Sequence, residues 1–334
     1  MRGLRVVGVV VAVLVAVAVP GRAGAQRPRA QRDTVEALLA LDVRPIAIGH
    51  RGFGENAAGR PIENTVASVR EAFRAGVSVV EVDVQLTRDR HVVAYHDDVL
   101  PDLTCLNTLT LPELQARLPF IPTLESILGV ARGRNHAAPP LQGIVIVELK
   151  AARPLCDPRD EQDGPMVDAA TRVVRHMRMT EQVLFTSFSP ALLDIARLHA
   201  PEIARILAVS GLQFLSEADI AALYRTTVTV IDKEHDLGLQ WAEVGTIFRL
   251  PGYRSLAELI DTAMALATRV VEADLFLLQP AGSALVPALH GVGTEVFGFT
   301  VNNDDEWTFL ESLGVDGIYT NDIPRGLARQ ATIP

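Results

Sequence analysis

From residue 143 onward the chain repeats one pattern: a short apolar, β-branched run, then a longer amphipathic stretch. Runs apolar on both faces suit parallel strands buried between layers. Their alternation with helical periodicity predicts βαβ units. The pattern predicts strands over 143–149, 183–188, 203–209, 226–231, 270–277, 294–301 and 317–320. Between them it predicts helices over 164–177, 190–199, 216–224, 255–268, 282–290 and 304–313. Earlier in the chain a short helix over 33–41 leads into a strand over 45–49, a helix opening at 61–65 and closing at Gly76, and a helix over 124–132. No linker or internal repeat divides the chain. The expectation is a single α/β domain over 44–330, a TIM (β/α)8-type barrel.

One stretch breaks the repeat. In the run from Val79 to Asp97, VVEVDVQLTRDRHVVAYHD, alternate residues share a strand face. Val80, Val82 and Val84 therefore point one way, and Glu81, Asp83 and Gln85 the other. Two carboxylates on a buried strand need positive compensation. The four turn residues 87–90 leave no room for a parallel crossover, so 91–95 folds back as a hairpin and delivers His96 near the level of Glu81. A small insertion over about 98–122, irregular apart from a short helix near 112–118, follows the His96 strand.

Composition narrows the partners. A net charge of −9 argues against nucleic acid or an anionic membrane surface. At the N-terminus Arg2 and Arg5 precede the apolar run 6–19, which ends in small residues near Ala23-Gly24-Ala25. That is the form of a signal peptide over 1–25, followed by a tail over 26–43. The run is short for a membrane anchor, so no stable membrane insertion is expected after cleavage. The expectation is an exported protein, periplasmic or secreted. Export makes a Cys105–Cys156 disulfide the expected state, with two separate thiols the alternative.

Barrels of this class place their sites at the C-terminal ends of strands. Those ends supply His50 and Arg51, Glu81 and Asp83, Glu148 and Lys150, and Asn302. Three carboxylates suit a hard divalent cation, Ca²⁺ or Mg²⁺, better than zinc. Arg51 and Lys150 suit an anionic substrate, and a phosphodiester fits the combination. His50 and His96 would serve as acid and base. Singly, each has a bland reading: Glu-x-Asp on a solvated face, Lys150 a surface snorkel, Asn64 a helix cap. Their coincidence on one rim outweighs those readings. His91, His136, His176, His199, His235 and His290 lack such company and are read as structural. Ser187 and Ser189 lack a nucleophile elbow, and no zinc-hydrolase, dithiol or dinucleotide motif occurs.

His50-Arg51-Gly52, the segment 61–65, Glu81-Val82-Asp83, the run 92–97 and Glu148-Leu149-Lys150 resemble the glycerophosphodiester phosphodiesterase family. The closing runs FTVN at 299–302 and GVDGIYTND at 314–322 are similar as well. The resemblance spans about 44–326 and implies a TIM-barrel phosphodiesterase. It implies His50 and His96 as general acid and base, and Glu81, Asp83 and Glu148 as metal ligands. Arg51 and Lys150 become phosphate contacts, with Glu63, Asn302 and Phe299 completing the substrate-binding set. Three departures stand out: Ile62 inserted before the Glu-Asn-Thr motif, Phe299 where the family usually has tryptophan, and an unmatched segment over 233–254.

The activity implied is metal-dependent hydrolysis of small-molecule glycerophosphodiesters to glycerol 3-phosphate and an alcohol. One alternative is phospholipase D-like action on lysophospholipid or sphingomyelin, which would call for an apolar groove or interfacial helix. A second is a non-catalytic phosphodiester-binding barrel, which would have no use for paired histidines.

Overall fold

The computed structural model describes residues 38, 44–132, 134, 143–152, 156–216, 218–219 and 252–331. Nine strands are formed among these residues: β1 (Ile46–Gly49), β2 (Val79–Leu86), β3 (Val92–Ala94), β4 (Ile144–Leu149), β5 (Val183–Ser187), β6 (Ala204–Val209), β7 (Val270–Asp274), β8 (Glu295–Val301) and β9 (Gly317–Thr320). Eight run parallel in the order β1-β9-β8-β7-β6-β5-β4-β2, and β1 pairs back onto β2 through Ile48↔Val79. The sheet is therefore a closed barrel of the TIM type. The ninth strand, β3, pairs antiparallel with the end of β2, Val84 opposite Ala94. The four-residue turn does make a hairpin.

Period-two alternation explains why both faces of these strands are apolar. Val79, Ile144, Leu184, Ile206, Val270, Phe297 and Tyr319 form one buried cluster along the barrel axis. Val80, Val82, Val145, Val147 and Phe185 belong to another, packed with residues of the surrounding helices. A fully buried side chain such as Phe185 contributes about 2 kcal/mol through that burial. The helical layer comprises α1 (Val66–Ala75), α2 (Leu111–Arg117), α3 (Leu124–Arg132), α4 (Asp163–Met177), α5 (Pro190–His199), α6 (Leu256–Ala265), α7 (Leu275–Gly291), α8 (Asp304–Leu313) and α9 (Ile323–Ala331).

The insertion after β3 carries its own small core of Val93, Leu100, Leu106, Leu109, Leu114 and Ile121. Helix α2 starts on a reciprocal cap between Thr110 and Glu113. Cys105 and Cys156 form a disulfide that ties this insertion to the loop after β4.

One expected element changes, one bland reading fails and one helix is new. The strand expected over 270–277 ends at Asp274, whose side chain accepts from Leu277 N and starts α7 there. The apolar run after Asp274 is thus the first turn of a helix reaching back from 282 to Leu275. Asn64 is not the cap of α1, because Thr65 holds that place and accepts from Ser68 N. Helix α9 has no counterpart in the sequence reading; it docks on β1, where Ala47 N donates to Gln330 Oε1. The leader 1–25, the strand expected at 226–231 and most of 216–224 and 233–254 lie outside the described residues. Of the tail and leading helix over 26–43 only Leu38 is described, helical and buried in the axial cluster. Among the described residues no helix is long and apolar enough to cross a membrane.

Candidate active site

β2 and β4 run side by side with Asp83 opposite Glu148, which puts both carboxylates on the axial face at one height. Glu81 sits one pleat below. Oxygens of Glu81, Asp83 and Glu148 lie within 4.8 Å of one another. Burial of three like charges has the expected consequence. Burial, then Asp83 and Glu148, pushes the Glu81 carboxyl well above its usual range. Burial also raises Glu148, with Asp83 adding to it against the pull of Lys150. Asp83 goes the other way: despite burial, Lys150, His96, Arg51 and Asn64 hold it well below the usual carboxylate range.

Cations brace this cluster from two sides. Lys150 Nζ lies 2.9 Å from Glu148 Oε1 and 3.4 Å from Asp83 Oδ1. Arg51 Nε lies 3.5 Å from Asp83 Oδ2, and its Nη1 donates to Glu63 Oε1 at 2.9 Å. The Arg51 backbone N–H donates to Glu81 Oε2 at 2.9 Å. Glu81 Oε1, however, is buried with no hydrogen-bond partner. An orphaned carboxylate oxygen beside two other acids is the donor set a hard cation completes. The residues present therefore fit a divalent metal.

A second trio of potential ligands makes the contrast. His290, Glu295 and Asp316 also approach within 4.8 Å. There Arg44 lies 2.9 Å from Asp316 and 3.9 Å from Glu295, and Arg269 lies 3.8 Å from Glu295. Guanidinium groups already neutralise that trio. It lies at the opposite end of the barrel, where β8 and β9 start, and it gives His290 a carboxylate partner, Asp316, away from the site.

The two histidines flank the cluster. His50, immediately after β1, places Nδ1 2.8 Å from Asn321 Oδ1. Burial and then the Arg51 charge lower its pKa to about 4. His96, after β3, places Nδ1 2.8 Å from Asp97 Oδ1. Its backbone oxygen accepts from Gln85 Nε2, which fixes the end of the hairpin. Electrostatic influence of His96 reaches His50, Asp83 and Glu148 alike. The site thus gathers every acid, cation and imidazole singled out on the strand ends.

The remaining expected residues sit around this centre in supporting positions. Glu63 is occupied by the protein itself, accepting from Arg51 and from Asn56 N. Asn302 is exposed, and its Oδ1 accepts from Asn321 Nδ2. Phe299 is half-buried on β8, edge-on to Phe188 at 5.9 Å and to Tyr319 at 6.1 Å.

Sequence reasoning missed three residues here: Asn321, Phe188 and Glu272. Glu272 is wholly enclosed on β7, accepting from Thr186 Oγ1 at 2.7 Å and from the Tyr319 hydroxyl. Burial raises its pKa to about 7 against those two hydrogen bonds. Its signal was available: in VVEAD, period two turns Glu272 onto the axis with Val270.

Comparison with known proteins agrees with this picture. The sequence profile of the glycerophosphoryl diester phosphodiesterase family matches residues 50–325. The Bacillus subtilis protein YhdW, named for glycerophosphodiester phosphodiesterase activity, is 25% identical over 289 residues, 82% of this chain and 93% of its own. A Silicibacter pomeroyi protein named as a glycerophosphoryl diester phosphodiesterase shares the fold with a TM-score of 0.66 at 21% identity, over 90% of this chain and 97% of that one. An Oleispira antarctica phosphodiesterase, solved in complex with the product sn-glycerol-3-phosphate, has a TM-score of 0.59 at 21% identity, over 86% of this chain and 97% of that one. This chain belongs to the glycerophosphoryl diester phosphodiesterase family, and it is a phosphodiesterase.

Proposed function

We propose that this protein hydrolyses glycerophosphodiesters to glycerol 3-phosphate and an alcohol such as choline or ethanolamine, with a divalent cation, Ca²⁺ or Mg²⁺, as cofactor. The observation that carries the reading is the orphaned Glu81 Oε1 inside an acid trio, with Arg51 and Lys150 against the same trio. Glu81, Asp83 and Glu148 would hold the cation, which supplies charge neutralisation for the phosphoryl oxygens. Arg51 and Lys150 present donors to the same anion, and their tethers to Asp83, Glu63 and Glu148 orient them beforehand.

Proton transfer falls to the two imidazoles. One accepts the proton of the attacking hydroxyl as the new P–O bond forms. The other gives its proton to the departing alkoxide as the old P–O bond breaks. The half-buried Phe299 and Phe188 edges provide an apolar wall for the organic part of the ester. We place this activity outside the cytoplasm, a placement supported by the signal-like leader and the Cys105–Cys156 disulfide.

The test is choline release from glycerophosphocholine, lysophosphatidylcholine and sphingomyelin, with and without EDTA, beside His50→Ala. Release from the water-soluble diester alone, lost with EDTA and in His50→Ala, is the expected result. Release from the lipids only, release indifferent to EDTA, or binding without turnover each overturns it.

A further inference from the structure

We propose that Glu272 is a fourth carboxyl of the cation site, outside the acid trio, that exchanges its proton against the cation: it is neutral in the metal-free protein and ionised once a divalent cation is bound. The proposal rests on the cation reading above and extends it to a residue that reading does not use.

The position of Glu272 isolates it from positive charge. On β7 it faces the barrel axis, and its register neighbours are Ala208 on β6 and Phe297 on β8. Neither is charged, so its partners stand one strand further away on each side. Thr186 Oγ1 donates to Oε1 from β5 at 2.7 Å, and the Tyr319 hydroxyl donates to Oε2 from β9. Among the described residues no lysine, arginine or histidine pairs with it. Burial favours the neutral form of such a group and hydroxyl donors favour the ionised one. Hydroxyl hydrogens also rotate, so the same two groups serve a carboxylate as donors or a carboxylic acid as acceptors. Glu272 is thus built to hold either state.

Thr186 places this carboxyl beside the ligands. It stands opposite Glu148 in the β4–β5 register, and Glu148 stands opposite Asp83 in the β2–β4 register. The titratable groups that face Glu272 are therefore Glu148 from β4, Asp83 from β2 and Tyr319 from β9. Asp274, on the same face of β7, is engaged at the rim by Ser210 Oγ, Gly211 N and Leu277 N. Burial, then Glu272, Glu81 and Glu148, push the Tyr319 hydroxyl well above its usual range, so Tyr319 remains a donor.

The charge of the trio then governs Glu272. Burial raises its pKa to about 7 against its two hydroxyl donors, and Glu148 and Asp83 add to that rise. A divalent cation held by those two acids offsets their repulsion, which favours the ionised form. The Glu272 O–H bond breaks on binding and its proton passes to solvent. Linkage makes the effect reciprocal: a cation that lowers this pKa by about one unit binds about tenfold tighter to the ionised protein.

Calorimetric titration of Ca²⁺ or Mg²⁺ tests this, run near pH 6.5 in two buffers of different ionisation enthalpy to count released protons. The unaltered protein is expected to release about half a proton more than Glu272→Gln. Protons of the trio itself are common to both proteins and cancel in the comparison. From about pH 6 to pH 8 the affinity of the unaltered protein should rise about fivefold more than that of Glu272→Gln. Tyr319→Phe removes one donor to the ionised form and leaves the trio intact, so it should move that rise to higher pH without abolishing it. Equal proton release and equal slopes in the unaltered protein and Glu272→Gln overturn the proposal. So does an affinity lowered evenly at every pH in both variants, the mark of a purely structural role. Should Glu272→Gln fail to fold, an unmoved rise in Tyr319→Phe overturns it alone. If the unaltered protein binds neither cation, the cation reading itself falls, and this proposal with it.

Discussion

Asn64 and Asp83 hydrogen-bond each other twice, Asn64 Nδ2 donating to Asp83 Oδ2 at 2.9 Å and Asp83 N donating to Asn64 Oδ1 at 3.0 Å. The pair stitches the loop before α1 to the middle of β2. It also fixes which oxygen of a buried carboxylate remains for other partners: Oδ1, the one that Lys150 approaches. Asn64 adopts a positive φ of 55° to reach across, a conformation asparagine tolerates better than most residues.

Asn64→Ala should therefore weaken divalent-cation binding about 10–100-fold, as expected when a ligand loses the group that orients it. Thr65→Ala, which removes the cap of α1, should cost about 1 kcal/mol of stability and leave affinity unchanged. Calorimetric titration of Ca²⁺ or Mg²⁺ into each variant distinguishes the two effects. Equal loss of affinity in both would show that the pairing with Asp83 has no special part in the site.

The orphaned Glu81 oxygen makes a second prediction. Glu81→Gln removes a buried carboxyl whose ionisation burial and two neighbouring acids oppose, so in EDTA the variant should be at least as stable as the unaltered protein. Saturating metal, about 100 times Kd, stabilises the unaltered protein by about 3 kcal/mol. Glu81→Gln should lose most of that gain. Thermal denaturation with and without metal reads both numbers; an undiminished metal response would remove Glu81 from the ligand set.

Glu272 predicts a pH dependence. Its folded pKa, about 7, lies above the ordinary 4.5. Between those values the native state keeps a proton that the unfolded chain releases. Stability is therefore full below pH 4.5 and falls as pH rises toward 7, by about 3 kcal/mol in total from this group. Glu272→Gln should flatten the curve in that window and keep the hydrogen bond from Tyr319. Urea melts in EDTA at pH 5 and pH 8 measure it, and an unchanged slope would count against the buried acid as its source.

The disulfide predicts a stability loss. Cys105 and Cys156 are 51 residues apart, and a cross-link of that span contributes about 4 kcal/mol by loop-entropy reasoning. Cys105→Ser combined with Cys156→Ser should lower the urea midpoint accordingly, and reductant should lower it only in the unaltered protein. An identical response to reductant in both would mean the bridge does not form in solution.

Much of the site was legible in the sequence for a plain reason. Inside a barrel strand, side-chain direction follows from parity, so Glu81, Asp83 and Glu148 could be assigned to one face before any coordinates. Strand ends converge on one rim whatever the loops do, so His50, Arg51 and Lys150 could be gathered there too. Local capping chemistry was less readable: Asp274 converts an apolar, strand-like run into the start of α7, and Thr65 displaces Asn64 as the cap of α1.

The sequence by itself determined the alternating pattern, the acid trio of β2 and β4 and the histidines that flank it, because periodicity and residue type are properties of the chain. Only the tertiary structure decided who answers whom. Asn321 lies 271 residues from His50, Asn64 lies 19 from Asp83 and Tyr319 lies 47 from Glu272. Hydrogen bonds act over about 3 Å and carry no trace of sequence separation, so such pairs exist only once the barrel has closed.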